Sequence, residues 1–249
     1  MSDDGSGGYV TPPPIFSVHS GFSAKTLGYD HAGLNRMNAR HLMFMAPFEQ
    51  EFIGANVLDL ASHDGRWSWA ALNLGAKHVT GIEARGELIK SGNHLFQGKY
   101  VGTADFVEAD IFDALPAYAR SEQQFDVVLC LGIFYHVMDH YRLLMQIRRL
   151  NPKLVILDTG LINDEKPYIH LETEPVNNIL NTIGHVDGVK DNVIGLVSVG
   201  GLRMMCRVLG FSIEFVDWLS PKFADTRKLD DYIKRAPGQK QRYTAILRT

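Results

Sequence analysis

The chain is poor in cysteine, lacks long apolar runs and carries no excess of positive charge. Its two cysteines among 249 residues, Cys130 and Cys206, lie in apolar segments, which argues against a disulfide scaffold and favours a reducing cytoplasm. No apolar run reaches membrane-spanning length, and the polar N-terminus does not resemble a signal peptide. A net charge of −3 gives no overall basic field, which weakens nucleic acid and anionic membranes as default partners but leaves a local basic patch open.

What the chain does contain suits a single α/β domain. Hydrophobic residues make up 45% of the sequence, which is enough for a substantial core. The acidic stretch 1–14, rich in glycine and proline, is predicted to be a flexible tail. Residues 15–249 are predicted to form the domain, with a lid and a leading helix over 15–50 and an inserted substrate cap over 159–195.

The segment 57–85 has the pattern of a strand, a tight turn, a helix and a second strand. Apolar residues over 57–60 predict a short buried strand, and small or polar residues over 61–65 allow the chain to turn closely. Residues 67–74 have helical spacing, Gly75 ends the helix, and residues 79–82 start a strand that Glu83 closes. This order is typical of a nucleotide-binding βαβ unit, in which the acidic residue meets a ribose.

Five further strands are predicted, at 104–107, 125–131, 154–158, 211–217 and 243–247. Because strands that alternate with helices form parallel sheets with right-handed crossovers, we predict a doubly wound α/β fold. Its sheet has seven strands and is mostly parallel, and the last strand is a candidate for antiparallel pairing.

Three ordered motifs resemble those of class I S-adenosylmethionine-dependent methyltransferases. They are VLDLASHDG, the acidic strand end GIEAR, and FDVVLCLGIFYHV, a strand that runs into an aromatic-histidine turn. With the terminal segments FSIEFVDW and YTAILRT, the resemblance covers about residues 50–249. It implies the Rossmann-like methyltransferase fold, with S-adenosylmethionine as the cofactor lying across the carboxyl ends of the strands.

The resemblance implies cofactor contacts from Asp59, Ala61, His63 and Gly65 in the first turn, from Glu83 at the ribose, from Asp110 and Ile111 at the adenine, and from Leu131 and Gly132 at the methionine part. Three of these positions, 61, 63 and 65, are usually glycine in the family, and only Gly65 is glycine here. Simpler roles are open for the acids: Asp59 as a turn cap, Glu83 as a solvated strand end and Asp110 as a helix cap.

His136 is the candidate proton acceptor. It follows the fourth strand, on the face where the methyl group of the cofactor is expected, and a hydroxyl acceptor must lose a proton during transfer. The alternative is a histidine that is hydrogen-bonded within its loop.

A magnesium site is a further hypothesis. Asp158, His170, Glu172 and Glu174 supply oxygen and imidazole ligands that suit Mg²⁺ and an acceptor diol, as in some sugar O-methyltransferases. They follow no fixed ligand spacing, so acidic side chains on a surface loop are the competing interpretation.

The GIFYH turn and the segment DNVIGLVSVGGLRMMCRVLGF also resemble the subfamily that modifies the wobble uridine of tRNA with a carboxylated form of the cofactor. Val137 and Met138 replace the arginines that follow its Tyr-His pair, and Asp191 replaces an arginine before Asn192. The chain also lacks the basic N-terminal region of that subfamily. An acid at position 191 is expected to repel a carboxylated cofactor, so ordinary S-adenosylmethionine is predicted.

The leading hypothesis is O-methylation of a hydroxyl on a small polyhydroxylated metabolite, a sugar or related polyol. Aromatic and imidazole side chains of the lid and cap are candidates for the acceptor pocket: Phe16, His19, Phe22, Tyr29, His31, Tyr168, His170 and His185. One alternative is an RNA- or tRNA-modifying methyltransferase that binds through a basic patch of Lys90, Lys99, Arg148, Arg149 and Lys153. The other is a non-catalytic nucleoside-binding module. A homodimer formed through apolar residues of the lid is compatible with all three hypotheses.

Overall fold

The computed structural model describes residues 8–18, 30–96, 102–184 and 186–249. Its strands are β1 (Asn56–Leu60), β2 (His78–Glu83), β3 (Ala104–Glu108), β4 (Val127–Leu131), β5 (Leu154–Ile162), β6 (Ile169–Pro175), β7 (Asp191–Val197), β8 (Ser212–Phe215) and β9 (Lys240–Arg248). Its α-helices are α1 (His31–Phe44), α2 (Glu49–Phe52), α3 (Arg66–Asn73), α4 (Gly86–Leu95), α5 (Ile111–Arg120), α6 (His140–Arg149), α7 (Val199–Leu209) and α8 (Asp230–Ile233). No helix within these ranges is both long and apolar enough to cross a membrane.

A seven-stranded sheet has the order β3-β2-β1-β4-β5-β9-β8. Strands β1 to β5 pair in parallel, and β9 runs antiparallel to both β5 and β8. The predicted doubly wound, mostly parallel sheet of seven strands is confirmed. The strand order reverses between β1 and β4, and in such sheets this point opens a crevice at the carboxyl ends of the strands.

Alternating side chains of the central strands pack into two apolar layers, one on each face of the sheet. Val57 and Val127 belong to one layer, and their neighbours Leu58 and Val128 belong to the other. This arrangement explains the near-continuous apolar character of β1 and β4, because helices cover both faces of a parallel sheet. The strands are therefore a rigid base for the loops at their carboxyl ends.

The inserted segment forms a hairpin beside that edge. Strand β5 continues to Ile162, and β6 and β7 then pair with each other as a separate two-stranded sheet. The backbone N–H of Gly195 donates to the carbonyl of Val137 at 3.1 Å, which attaches β7 to the turn after β4. The hairpin thus stands next to His136, as a cap would.

The N-terminal segment differs from the predicted tail where it is described. Val10 donates to the carbonyl of Lys222 and accepts from the N–H of Ala224, so the chain is held against the domain at that point. Residues 1–7 of the predicted tail lie outside the described residues.

Candidate functional site

A cavity of about 320 Å³ opens at the carboxyl ends of β1, β2 and β4. Its size lies in the range of small-molecule sites. Eight of the predicted residues line it: Ala61, His63, Glu83, Asp110, Ile111, Leu131, Gly132 and His136. The strands bring them together because the carboxyl ends of parallel neighbours meet at one edge of the sheet.

The first turn keeps the glycine-type backbone although two of its residues have side chains. Ala61, His63 and Gly65 have φ values of 53°, 56° and 78°, all in the left-handed region. At position 65 a Cβ atom would lie 2.6 Å from Cζ of Phe106, so only glycine fits. The conformation costs about 1–3 kcal/mol at a non-glycine residue, and such strain is typically kept at functional sites.

Glu83 is placed to receive a ligand hydroxyl. Its buried carboxylate accepts the backbone N–H of His63 on Oε2 and that of Arg85 on Oε1, each at 3.0 Å. Each carboxylate oxygen can accept more than one hydrogen bond, so both can also accept from ribose hydroxyls.

Two polar atoms of the same turn also point to a ligand. Oγ of Ser62 and Nε2 of His63 are buried and have no hydrogen-bond partner in the part of the chain that the structure describes. Both residues line the cavity. Since buried polar atoms usually have partners, these two fit a polar ligand such as a nucleoside cofactor.

Asp59 and Gly65 do not line the cavity. Asp59 is 1% exposed beneath the turn and accepts a 2.7 Å hydrogen bond from Oγ of Ser68 on α3. Burial raises the pKa of Asp59 to about 7, and the nearby Glu83 and Asp64 carboxylates add to the shift. Its position beneath the turn favours a structural role over direct contact with the cofactor.

Asp110 caps a helix and also lines the cavity, so its position is compatible with both roles that the sequence left open. Its Oδ1 accepts the backbone N–H of Phe112 at 2.7 Å and so caps α5. The same residue lines the cavity beside Ile111. The helix cap fixes the acid at the end of β3, next to the expected adenine position.

Asp158 does not suit the predicted metal site, because arginines already surround it. Its Oδ2 accepts from Arg40 at 2.5 Å, from Arg242 at 3.3 Å and from the Tyr232 hydroxyl at 2.7 Å, and Oδ1 accepts from Thr244 at 3.1 Å. Burial opposes ionisation, but Arg242 and Arg40 hold the pKa of Asp158 below its usual range. Two guanidinium groups at one carboxylate would repel a divalent cation.

The other predicted metal ligands lie elsewhere. His170 and Glu172 are exposed on β6, with Nε2 and Oε1 3.9 Å apart, and Glu174 pairs with His136. Among the described residues, no group of three histidine, cysteine or acidic side chains could hold a metal ion. The magnesium hypothesis therefore has no support in this geometry.

The buried charge cluster predicts a large stability effect. Replacing Asp158 with asparagine should lower the free energy of unfolding by about 3–5 kcal/mol, because Arg40 and Arg242 lose their buried counter-charge. Urea denaturation followed by circular dichroism measures the change. The matched control is Asp105→Asn, which removes an exposed pair with His78 and should cost less than about 1 kcal/mol. Similar losses in the free energy of unfolding of both variants would show that the buried cluster contributes no more than an exposed ion pair.

Sequence reasoning missed five arginines that also line the cavity: Arg36, Arg40, Arg66, Arg85 and Arg242. Arg36 and Arg40 are four residues apart on α1, but the other three come from distant parts of the chain, so no common motif marks the set. Arg242 matters most, because its Nη1 lies 3.3 Å from the Tyr135 hydroxyl and a Cβ atom on Gly132 would lie 3.5 Å from its Nη2. Its guanidinium therefore stands at the end of β4, where the transferred group is expected.

Two expectations about the cavity wall need correction. Asp191 is exposed at the start of β7 and does not line the cavity, so it gives no electrostatic argument against a carboxylated cofactor. Phe16 is not available to a ligand, because it is buried against Trp67 and Trp69. Four other candidates for the acceptor pocket lie outside the described residues: His19, Phe22, Tyr29 and His185.

His136 lies in a single turn of 3-10 helix, Phe134–His136, directly after β4. Its Nδ1 is 2.5 Å from Oε2 of Glu174, so the partner of the ring comes from the hairpin and not from its own loop. The imidazole remains in the cavity wall.

Comparison with known proteins agrees with the fold. Residues 57–152 match the model of a methyltransferase domain. A tRNA U34 carboxymethyltransferase of Campylobacter lari is 26% identical over 204 residues, covering 76% of this chain and 61% of that one. Another protein of that name, from Nautilia profundicola, is 28% identical over 119 residues, covering 45% and 36%. The chain thus spans less than two thirds of these relatives' length.

Among solved structures, the N-terminal domain of EvdMO1, determined in the presence of S-adenosylhomocysteine and D-fucose, superposes with a TM-score of 0.60. It is 17% identical and covers 82% of this chain and 80% of its own. Identity at this level shows a shared fold and leaves the acceptor to be argued from the site.

Proposed function

We propose that this chain transfers a carbon group from an S-adenosylmethionine-type cofactor to a hydroxyl of a tRNA nucleoside. By its domain and its fold, the chain is a class I S-adenosylmethionine-dependent methyltransferase. The observation that supports the proposal best is the cavity at the strand reversal, where Glu83, two unpartnered polar atoms and His136 meet. A protein that modifies tRNA would act in the cytoplasm.

The residues of the cavity suit the parts of the cofactor. Glu83 would hold the ribose, Asp110 and Ile111 the adenine, and the turn from Ala61 to Gly65 together with Leu131 and Gly132 the methionine part. When bound, the cofactor supplies a carbon already activated by its sulfonium. The protein then has to align the acceptor, exclude water with the β6–β7 hairpin, and accept the hydroxyl proton at His136.

The relatives favour tRNA over the sugar that the sequence suggested. Both are named tRNA U34 carboxymethyltransferases and align with up to 76% of this chain. Sugar O-methylation has the support of a fold shared with a protein studied in the presence of D-fucose. It is the second candidate, and the same experiment separates the two.

We extend the proposal to the donor, a carboxylated form of S-adenosylmethionine. Arg40 and Arg242 share the single carboxylate of Asp158, which leaves one excess positive charge within this cluster beside the cavity. A carboxylate on the transferred group would balance that charge and pair with Arg242 and the Tyr135 hydroxyl.

Replacing Arg242 with methionine should weaken binding of the carboxylated cofactor by about 10- to 100-fold, the effect of losing one hydrogen bond to a charged group. Binding of S-adenosylmethionine should change much less. Calorimetric titration of both cofactors measures the difference, with Arg227→Met, an exposed arginine paired to Asp225, as the control. Equal loss for both cofactors would reject the donor assignment.

The acceptor is tested with nucleoside mass spectrometry. Unmodified tRNA and a panel of free sugars are incubated with the protein and each cofactor, and the products are analysed. A cofactor-dependent mass gain in one tRNA nucleoside is the expected result. Transfer to a sugar with no change in tRNA would replace the proposal by the second candidate.

A further inference from the structure

The ring of His136 has a close acidic partner that lies far away in the sequence. Nδ1 of His136 and Oε2 of Glu174 are 2.5 Å apart, and the two side chains are only 11% and 8% exposed. His136 follows β4, whereas Glu174 belongs to β6 of the inserted hairpin. The contact therefore joins the proposed proton acceptor to the cap.

The carboxylate of Glu174 is itself fixed on its other side. Its Oε1 accepts the backbone N–H and the hydroxyl of Thr182, each at 3.0 Å. The Thr182 hydroxyl in turn accepts from Nδ2 of Asn192 on β7 at 3.1 Å. A network from both strands of the hairpin thus holds this carboxylate in place.

These hydrogen bonds decide which ring nitrogen carries a proton. Burial opposes ionisation of Glu174, but the hydrogen bonds from His136 and Thr182 hold its pKa below the usual range. A carboxylate only accepts hydrogen bonds, so Nδ1 must donate. The other nitrogen, Nε2, then carries the lone pair, and it makes no hydrogen bond to the residues that the structure describes.

We propose that Glu174 is the positioning residue for His136, holding the imidazole with Nε2 directed at the acceptor hydroxyl. The inference rests on the proposed role of His136 in proton transfer. The acceptor oxygen bonds to the transferred carbon, the carbon–sulfur bond breaks with its electron pair going to sulfur, and the hydroxyl proton moves to Nε2. Glu174 then faces the imidazolium, as the carboxylate does in other acid–histidine pairs.

Several charged groups surround the ring of His136, but only one of those described is paired with it. The ring of Tyr135 lies against it at a tilt of 39°, with ring centroids 4.1 Å apart. A neighbouring cavity, which His136 also lines, adds Asp110, Asp113, Asp139 and Arg142 from α5, α6 and their caps. Only Glu174 forms an ion pair with the ring among the described residues, so its removal should dominate any change in the pH dependence.

The direct test is Glu174→Gln. We expect kcat to fall by about 100-fold or more, because an amide can donate to Nδ1 and stabilise the wrong tautomer. The KM for the acceptor and the affinity for S-adenosylhomocysteine should stay within about twofold. The acid limb of the kcat–pH profile should move to lower pH, because the imidazolium loses its neighbouring negative charge. Glu174→Asp should recover part of the rate. Loss of affinity with kcat and the pH profile unchanged would overturn the proposal.

Two measurements make the outcome unambiguous. Glu172→Gln alters an exposed acid on the same strand and should leave kcat and the pH profile unchanged. Nitrogen NMR of the His136 ring, without any acceptor, should find the proton on Nδ1 in the wild type and displaced in Glu174→Gln. The proton on Nε2 in the wild type would reject the assignment of Glu174 even if transfer occurs. Absence of transfer with Nδ1 protonated would instead reject the proposed function.

Discussion

Replacing Glu83 with glutamine is expected to weaken binding of S-adenosylmethionine and S-adenosylhomocysteine by about 100-fold or more. The carboxylate would accept both ribose hydroxyls, and hydrogen bonds to a charged group are each worth about 1.5–3 kcal/mol. It also receives the backbone N–H groups of His63 and Arg85, so its loss loosens the first turn. Calorimetric titration of the variant and the wild type measures the effect.

Glu108→Gln is the matched control for this prediction. Glu108 lies opposite Glu83 where β2 and β3 run side by side, but it is exposed and does not line the cavity. Its replacement should leave cofactor affinity unchanged. Similar affinity in the wild type and Glu83→Gln would remove the ribose assignment and with it the proposed orientation of the cofactor.

Replacing His136 with alanine should slow transfer by about 10²- to 10⁴-fold, the usual contribution of a positioned acid–base group. The cofactor should still bind, because Glu83 and the first turn are separate from this side chain. Single-turnover rates with the modified acceptor as readout, together with calorimetry, separate the two effects.

The control for the histidine is His94→Ala, which alters an exposed residue near the end of α4. It should keep the wild-type rate. Full turnover in the His136 variant would show that the acceptor loses its proton without this imidazole. The proposed positioning role of Glu174 would then be rejected as well.

The parts of the site that depend on local sequence were predictable. Alternating and continuous apolar residues define β1, β2 and β4, and parallel strands place their carboxyl ends together. For that reason Glu83, Asp110 and His136 meet in one cavity although they are far apart in the chain. Ala61 and His63 replace two glycines of the family motif, but they keep the left-handed backbone that glycine favours.

The errors concern side chains whose partners come from distant elements. Asp158 was a candidate metal ligand because it offers a carboxylate beside the acids and histidine of the inserted segment, yet Arg40 from α1 and Arg242 from β9 neutralise it. Glu174 was grouped with the metal ligands for the same reason, and it pairs with His136 instead. Such pairings depend on how the hairpin and the terminal strand pack, which residue spacing does not encode.

Calorimetric titration of the wild-type protein with S-adenosylhomocysteine tests the central claim most directly, since the product binds without any acceptor. Saturable one-site binding at micromolar affinity, lost in Glu83→Gln and kept in Glu108→Gln, is the result expected of a methyltransferase cofactor site. A folded protein that binds neither S-adenosylhomocysteine nor S-adenosylmethionine nor its carboxylated form would contradict the assignment of the cavity and every step built on it.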